Sequence, residues 1–363
     1  MSSLFEPWSV RSLTVPNRVW MAPMCQYSAD VAGPDTGVAN DWHFTHYTSR
    51  AVGGAGLILL EATAVSPEGR ISHGDLGLWN DRQQAALTRL AGAIRERGAV
   101  AGVQLAHAGR KASSQLPWEG GGPLGGEERP WPTVGPSPVP FAEGHPAPHE
   151  LSEAEIAEVV EQFAAAARRA LAAGFQVVEV HGAHGYLIGE FLSPHSNHRT
   201  DGYGGDFAGR SRLALEVVSA VRAVWPAELP LFFRISATDW LPEGGWTPDD
   251  TVRLAGELRA RGVDLLDVSS GGNAAGVRIP TEPGYQVPFA ARVKAETELP
   301  VAAVGLITEP GQAEKILEAG EADAVFLGRA LLREPYWPRR AADELGATDA
   351  PVPAQYERAH PRR

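Results

Sequence analysis

The 363-residue chain contains a single cysteine, Cys25. One thiol cannot form an internal disulfide, and it cannot supply the several cysteines of a multi-cysteine zinc site or an iron–sulfur cluster. No apolar run approaches the roughly 18 residues that a membrane-spanning helix needs. The first residues, MSSLFEPWSVRSL, lack the apolar core of a secretion signal. These absences predict a cytoplasmic protein with no membrane segment.

Positive charge is scarce, since 32 Lys and Arg oppose 44 Asp and Glu for a net charge of −12. Such a field argues against nucleic acids and anionic membranes as partners. No Walker loop, HExxH or G-x-S-x-G motif occurs. One stretch, GGGPLG at 120–125, matches G-x-G-x-x-G, but it follows no strand pattern and contains Pro123. We interpret this match as accidental.

Eight short apolar runs alternate with helical patterns, and most are continuously apolar, as expected for strands buried on both faces. The predicted strands cover residues 18–24, 56–65, 100–109, 175–180, 229–236, 263–270, 300–307 and 324–329. The predicted helices cover residues 81–97, 152–173, 210–224, 247–261 and 309–319. Eight such repeats predict a (β/α)8 TIM barrel, because an open doubly wound sheet more often stops near six strands.

Residues 110–150 interrupt this alternation with a stretch crowded with Pro, Gly and Trp. Strand and helix patterns of the same style flank it on both sides. We therefore expect a loop insertion over the barrel mouth, rather than a linker between two domains. The organisation predicted is one barrel over residues 1–340 and a polar tail over residues 341–363.

Chemistry in such a barrel gathers at the carboxyl ends of the strands. The turns after the seventh and eighth strands, VGLIT and FLGR, place Gly305, Gly328 and Arg329 next to helix starts. Backbone N–H groups and the helix dipole favour a phosphate there. An ordinary turn into a helix explains the same glycines equally well.

Two polar residues inside strands have two explanations each. Arg234 lies in the apolar run LFFRIS and needs an acceptor, since an unpaired buried charge is very costly. The acceptor is either a structural carboxylate or a ligand that gains negative charge during reaction. Similarly, Gln104 pairs either with a flavin ring edge or with neighbouring backbone.

The motif HGAHGYL places His181, His184 and Tyr186 after a predicted strand. In a helical turn the two histidines would share a face and could bind zinc, with His107 or Glu179 as a further ligand. Alternatively, both could donate to one substrate oxygen while the tyrosine supplies a proton. A loop histidine with no ligand explains either residue taken alone.

Segments along nearly the whole chain together resemble the old yellow enzyme family of flavin-dependent ene-reductases, most closely its thermophilic-like bacterial class. The segments that carry the resemblance are LFEPWSVRSLTVPNRVWMAPMCQYS, WHFTHYTSRAVGGAGLILLEATAVSPEGRIS, GVQLAHAGRKAS, HGAHGYLIGEFLSPHSNHRTDGYGGDFAGRSRL, FRIS, VGLI and LGRALLREPYW. Their occurrence in barrel order favours a flavin over zinc.

The resemblance implies a role for each matching residue. The residues implied to hold FMN are Ala22, Pro23, Met24, Cys25, Ala62, Gln104, Arg234, Gly305, Gly328 and Arg329. His181 and His184 match the pair that binds the substrate oxygen, Tyr186 matches the proton donor, and Tyr27 is expected to face the substrate. Arg358, within QYER, matches an arginine that enters a neighbouring subunit's site, although Ala359 and His360 replace the family's Gly-Trp.

The implied function is that of an NADPH dehydrogenase or ene-reductase. NADPH, or NADH, would reduce FMN and leave, and an α,β-unsaturated aldehyde, ketone, imide or nitroalkene would then accept the hydride. A homodimer or homotetramer is expected. Related dienoyl-CoA reductases and amine dehydrogenases need clustered cysteines, which this chain lacks. A zinc-dependent barrel lyase or hydrolase and a non-catalytic flavin-binding protein are the alternatives from other classes.

Overall fold

The computed structural model describes residues 2–347 and 350–359, and His360 lies outside them. Its strands, in chain order, are β1 Trp8–Val10, β2 Leu13–Val15, β3 Val19–Met21, β4 Leu57–Ala64, β5 Val100–Ala106, β6 Val134–Gly135, β7 His149–Glu150, β8 Val177–Gly182, β9 Leu231–Ser236, β10 Leu265–Ser269, β11 Val301–Ala303 and β12 Ala324–Leu327. Its α-helices are α1 Asp41–Val52, α2 Asp81–Glu96, α3 Glu153–Ala172, α4 Leu187–Leu192, α5 Phe207–Val224, α6 Pro248–Ala260, α7 Val287–Thr297, α8 Pro310–Glu318, α9 Arg329–Arg333 and α10 Trp337–Glu344.

Eight parallel strands close into a barrel in the order β3, β4, β5, β8, β9, β10, β11 and β12, and β12 pairs with β3. At least one helix follows each barrel strand. This arrangement confirms the predicted (β/α)8 barrel. Within the described ranges, no helix is long and apolar enough to cross a membrane.

Most predicted strands are longer than the observed ones, and the three with the largest excess at the carboxyl end each have a local reason. The strand predicted over 300–307 ends at Ala303, because Gly305 and Leu306 adopt φ values of 118° and 52°, outside the extended region. The strand predicted over 100–109 ends at Ala106, because Gly109–Lys111 forms a 3₁₀ turn. The strand predicted over 18–24 ends at Met21, just before Pro23, which lacks a backbone donor.

Helix caps explain the helix boundaries. Ser152 caps α3 by accepting from the Glu155 N–H, as the predicted capping box requires. The helix predicted to start at residue 210 instead begins at Phe207, because the Asp206 side chain accepts from the Gly209 N–H at 3.0 Å. Helices α1, α4, α7 and α10 were not predicted, whereas the helix expected after FLGR forms as α9.

The amino-terminal end of the barrel interior is filled by aromatic side chains. Trp20 is fully buried, with its ring centroid 5.3 Å from that of Trp8, 5.9 Å from that of Phe232 and 5.4 Å from that of Phe326. Trp8 lies on the antiparallel β1–β2 hairpin, which closes this end of the barrel. The opposite end is therefore where a ligand can enter.

The insertion at residues 110–150 lies at that opposite end, as predicted. It contains the paired strands β6 and β7 and two 3₁₀ turns. The ring of Trp118 meets the ring of Tyr27 edge-on, at a centroid distance of 6.2 Å. Trp131 donates from Nε1 to the Glu68 carbonyl at 2.9 Å. The insertion thus packs on the loops that follow β3 and β4.

Replacing Trp20 with Ala should destabilise the fold by about 3–5 kcal/mol, because a large cavity would open among three aromatic rings. Denaturant unfolding of the two proteins measures the difference. Trp118, which is 65% exposed, is the matched control, and its replacement with Ala should change stability by less than about 0.5 kcal/mol. Equal losses from the two substitutions would contradict this account of the core.

Candidate active site

The barrel interior becomes polar toward the carboxyl ends of its strands. Alternate residues of a strand face the interior, and in β8 these are Val177, Glu179 and His181. In register with them, Arg234 of β9 lies beside His181 on one side and beside Asp267 of β10 on the other. The polar layer therefore lies above the apolar one, facing the mouth.

His181, His184 and Tyr186 come together at the mouth. The centroid of the His181 ring lies 5.2 Å from that of His184 and 5.2 Å from that of Tyr186, both in edge-on contacts. The two histidines do not share a face of a helical turn, so that expectation is wrong. His181 lies near the end of β8, and His184 occupies a left-handed turn with φ 59°. The three side chains instead converge from a strand end, a turn and the start of α4.

Hydrogen bonds assign the proton of each imidazole. The His181 Nδ1 accepts from the Ala183 N–H at 3.3 Å, which leaves the proton on Nε2. The His184 Nε2 lies 2.8 Å from the Ser269 hydroxyl. The Ser269 hydroxyl also lies 3.3 Å from Gln286 Oε1, which already accepts from Ser270 at 2.7 Å, so the contact with His184 is the shorter of its two. With Ser269 as the donor in that contact, His184 carries its proton on Nδ1. Each histidine therefore keeps one N–H that can donate to a ligand.

The electrostatics keep these groups uncharged. Burial, followed by the positive charges of Arg234 and Lys111, lowers the pKa of His181 well below its usual value, and the same influences lower the pKa of His184. Burial also raises the pKa of Tyr186 above its usual value. At neutral pH the site thus presents neutral imidazoles and a protonated phenol.

Beneath this cluster lies a row of buried polar residues. Gln104 donates from Nε2 to Glu179 Oε1 at 2.7 Å, so its partner is a carboxylate, neither of the two alternatives considered from the sequence. The Arg234 Nε lies 3.1 Å from Asp267 Oδ2, which is the structural carboxylate considered for that arginine. This pair lacks the alignment of a hydrogen bond, however, and Arg234 Nε has no hydrogen-bond partner among the described residues.

Several of these buried atoms are unsatisfied within the described part of the chain. They include Glu179 Oε2 and both carboxylate oxygens of Asp267. Buried polar atoms are nearly always hydrogen-bonded, so unsatisfied donors and acceptors at one place indicate a site that a ligand completes. A flat ring with polar edges fits this layer, because Arg234 supplies donors and the neighbouring carboxylates supply acceptors.

The loop after β3 forms another wall of the mouth. Ala22 and Pro23 are buried, whereas Met24, Cys25 and Tyr27 are half-buried. The buried Glu61 holds this loop by accepting from the Gln26 N–H at 2.7 Å. Tyr27 has φ 51°, an uncommon conformation for a non-glycine residue. Burial, followed by the charges of Asp75 and Glu61, raises the pKa of the Cys25 thiol well above its usual value.

A cavity of about 120 Å³ lies between the ends of β11 and β12. Gly305, Gly328 and Arg329 line it, together with Arg333, which the sequence interpretation did not include. Gly305 has φ 118°, which favours glycine, and an added Cβ would lie 2.7 Å from the Gln286 amide nitrogen. Two arginines and glycine-rich backbone form a cradle suited to a phosphate.

Ala62 is buried on β4, where a register irregularity between Leu60 and Ala62 interrupts the pairing with β5. Arg358 lies elsewhere, in the exposed 3₁₀ turn Ala354–Ala359. The Tyr356 hydroxyl in this turn is 3.1 Å from that of Tyr336, just before α10. The structure thus gathers the other predicted residues at the mouth and places Arg358 outside it in the same chain.

Three contributors to the mouth were not assigned roles from the sequence. Ser236 accepts the His184 N–H at 2.9 Å, Ser269 orients the His184 ring, and Lys111 donates to the His184 carbonyl at 2.8 Å. The signal available in the sequence was position alone, since each follows or ends a predicted strand. Their contacts depend on the turn geometry of His184, which the sequence pattern does not specify.

The zinc alternative finds no support in this geometry. His107 accepts the Gly109 N–H at Nδ1, and Glu179 accepts from Gln104. Across the described ranges, no group of three His, Cys, Asp or Glu side chains is placed to hold a metal ion. The donor set at the mouth instead suits an organic ligand with an anionic group.

A TIM barrel with a glycine- and arginine-lined cavity after its last two strands and a polar layer at its mouth suits an enzyme that binds a flat, phosphate-bearing cofactor such as a flavin. The sequence profile of the NADH:flavin oxidoreductase / NADH oxidase family matches residues 3–347. The chain belongs to this family. The predictions of an FMN-dependent enzyme that uses a nicotinamide nucleotide, and of membership in the old yellow enzyme family, are confirmed.

Individual relatives agree with this assignment. The NADPH dehydrogenase of Geobacillus thermodenitrificans is 50% identical over 98% of this chain and 98% of its own length. The old yellow enzyme homologue from Zymomonas mobilis is 28% identical with a TM-score of 0.77, over 96% of this chain and 94% of its own. A structure of 2-naphthoyl-CoA reductase with 2-naphthoyl-CoA is 26% identical with a TM-score of 0.84. The match covers 94% of this chain but 52% of that longer protein.

Replacing Gly185 with Ala should disturb the turn that carries His184 and Tyr186. An added Cβ would lie 2.4 Å from the Asn273 Cα, and φ is 67°. Gly205 is the matched control, because its φ is 75° but nothing lies within 4 Å of its Cβ position. We expect Gly185→Ala to destabilise the protein by about 2 kcal/mol more than Gly205→Ala in denaturant unfolding. Similar values for the two variants would show that the close packing is relieved elsewhere.

Proposed function

We propose that this chain is an ene-reductase that uses NADPH and FMN to reduce the activated double bond of α,β-unsaturated aldehydes, ketones, imides or nitroalkenes in a ping-pong cycle. The observation that carries the proposal is the convergence of His181, His184 and Tyr186, whose rings meet at centroid distances of 5.2 Å. NADPH is favoured over NADH because relatives about half identical to this chain are named NADPH dehydrogenases.

His181 and His184 bind the carbonyl or nitro oxygen of the substrate. Each keeps one N–H and is neutral, so the two together donate two hydrogen bonds without adding a charge to the free enzyme. As the double bond is reduced, negative charge grows on this oxygen, and donors already in place stabilise it without reorganising. This differential stabilisation activates the β-carbon toward hydride.

Tyr186 delivers the proton that completes the reduction. Its ring contacts that of His181, which supports a position for it beside the substrate that the histidines bind. Burial raises its pKa, which keeps the phenol protonated until the α-carbon becomes basic. Tyr27, packed against Trp118, faces the substrate from the opposite wall.

FMN, when bound, supplies the hydride chemistry by accepting hydride from NADPH and passing it to the substrate. Residues on three sides would hold it. Gln104 and Arg234 would contact the polar edge of the ring, where neighbouring buried atoms are unsatisfied. The remaining residues proposed to hold it are Ala22, Pro23, Met24, Cys25 and Ala62 along the ring, and Gly305, Gly328 and Arg329 at the phosphate.

We further propose that residues 1–340 form one FMN-binding domain of a cytoplasmic homodimer or homotetramer. The tail would then place Arg358 in the site of a neighbouring subunit. Its distance from its own mouth supports this, since the turn that carries it contacts Tyr336 instead. A guanidinium there would pair with the oxygen-rich end of a substrate.

The absorption spectrum of the purified protein tests the function directly. We expect a flavin spectrum that bleaches under anaerobic NADPH and returns when cyclohexenone is added. A colourless protein that cannot be reconstituted with FMN would exclude the whole proposal. Bleaching without return on addition of any activated alkene would favour a flavoprotein with another acceptor.

The double variant His181→Ala/His184→Ala should slow reoxidation of the reduced flavin by cyclohexenone at least about a hundredfold, because the developing oxyanion loses its donors. Anaerobic stopped-flow absorbance measures this rate, and FMN should stay bound. The control is His149→Ala, which removes an imidazole that is 57% exposed and paired with Glu155. Reoxidation of the double variant at the normal rate would refute the assignment of the pair.

Arg358→Ala should raise the KM for cyclohexenone about tenfold, equivalent to about 1.4 kcal/mol. Mixing tests whether the residue acts between subunits. Mixed oligomers of Arg358→Ala chains and His181→Ala/His184→Ala chains should show a normal KM. In such an oligomer, a site with the intact histidines of an Arg358→Ala chain receives Arg358 from the neighbouring chain. A KM that stays high after subunit exchange would show that Arg358 does not complete the neighbouring site.

A further inference from the structure

A lysine at the mouth has no role in the function proposed so far. Lys111 follows β5 in the 3₁₀ turn Gly109–Lys111, where the insertion begins. The chain has three lysines, although Lys and Arg together number 32. The other two are Lys294 on α7, paired with Asp323 at 2.9 Å, and Lys315 on α8. In a chain that uses arginine nearly everywhere, an ammonium at the mouth is notable.

The ammonium of Lys111 joins two segments of the mouth. It donates to the His184 carbonyl at 2.8 Å and to the Gly272 carbonyl at 2.9 Å. These segments are in close backbone contact, since a Cβ added at Gly272 would lie 2.7 Å from the His184 Cα. The strained turn of His184 therefore gains a charge-assisted hydrogen bond at its carbonyl.

The same ammonium lies over two aromatic rings. Its nitrogen is 4.9 Å from the ring centroid of Tyr186 and 4.7 Å from that of Phe141. Two of its three N–H groups are occupied by the carbonyls, so the charge itself faces the rings. A full positive charge thus lies at the aromatic ring of the proposed acid.

The charged groups around Lys111 come from several elements. Glu190 of α4 and Arg110 of the same turn act on it with opposite signs, and it acts in turn on His181 and His184. Burial lowers the pKa of Lys111 to about 8, so it is still mainly an ammonium at neutral pH. An arginine at this position would spread the charge over a planar guanidinium, which could not donate to the His184 and Gly272 carbonyls from a single nitrogen atom.

We propose that Lys111 is a positioning residue for Tyr186, which fixes the His184–Tyr186 turn and stabilises the phenolate that forms during proton delivery. The inference rests on the proposed function. In that step the Tyr186 O–H bond breaks and a C–H bond forms at the substrate's α-carbon, which carries the electron pair released by hydride addition. The O–H pair stays on the phenolate oxygen until water returns a proton. The nearby ammonium offsets that transient negative charge.

The test is a double-mutant cycle between Lys111→Met and Tyr186→Phe, measured on the holoenzyme. We expect Lys111→Met to slow flavin reoxidation by cyclohexenone about tenfold more than it slows flavin reduction by NADPH. The reason is that Tyr186 protonates the substrate during reoxidation and takes no part in reduction by NADPH. In the Tyr186→Phe background the same substitution should change reoxidation by less than about twofold. Lys111→Arg should recover part of the lost rate.

Two further measurements separate this role from a merely structural one. The solvent deuterium isotope effect on reoxidation should rise in Lys111→Met, because proton transfer then limits the rate. The FMN dissociation constant should match the wild type, whereas the unfolding midpoint should fall because the His184 and Gly272 carbonyls lose their donor. The control Lys294→Met removes an ammonium from an ion pair on α7 and should leave both half-reactions unchanged.

Equal slowing by Lys111→Met in the wild-type and Tyr186→Phe backgrounds would overturn the inference, since Lys111 would then act elsewhere. If Lys111→Met does not fold, the same double-mutant cycle with Lys111→Arg tests the inference. Lys111→Arg should slow reoxidation less than Lys111→Met, and this slowing must also disappear in the Tyr186→Phe background. A wild-type enzyme that reduces no activated alkene would overturn the proposed function together with this inference. An active wild type with no effect of Lys111→Met would overturn this inference alone.

Discussion

In the barrel interior, Arg234 lies level with His181 on one neighbouring strand and with Asp267 on the other. This alignment follows from the parallel register of β8, β9 and β10, in which alternate side chains face inward. A shift of one residue in any of the three would turn its polar side chain outward, into the layer of helices. The placement of the polar layer, and with it the position of the histidines above, depends on this register.

The polar layer is costly for the fold. Glu179 and Asp267 are fully buried carboxyl groups, and the charge of Arg234 acts on both. Burial and the charge of Asp267 raise the pKa of Glu179 well above its usual value, and burial also raises the pKa of Asp267. The charge of Arg234 opposes both shifts. One guanidinium thereby lowers the cost of holding two carboxyl groups beneath a ligand.

The sequence pattern predicted the barrel because buried parallel strands are continuously apolar and regularly spaced. It did not predict α1 or α10, whose sequences, DWHFTHYTSRAV and WPRRAADE, are rich in polar and aromatic residues. The residues gathered at the mouth were found because the resemblance and the strand ends both pointed to them. The contacts that Lys111, Ser236 and Ser269 make were not predicted, because these contacts depend on a left-handed turn at His184 that no local propensity predicts.

Barrel closure joins β3, near the start of the chain, to β12, near its end. Because a nascent chain emerges amino terminus first, the seam closes only after all the other barrel strands have been made. The cavity proposed to hold the phosphate, between β11 and β12, belongs to this late part, whereas most of the residues proposed to face the ring are made earlier. Binding of the prosthetic group would consequently wait for the last barrel strands, and a chain released before them would lack this cavity.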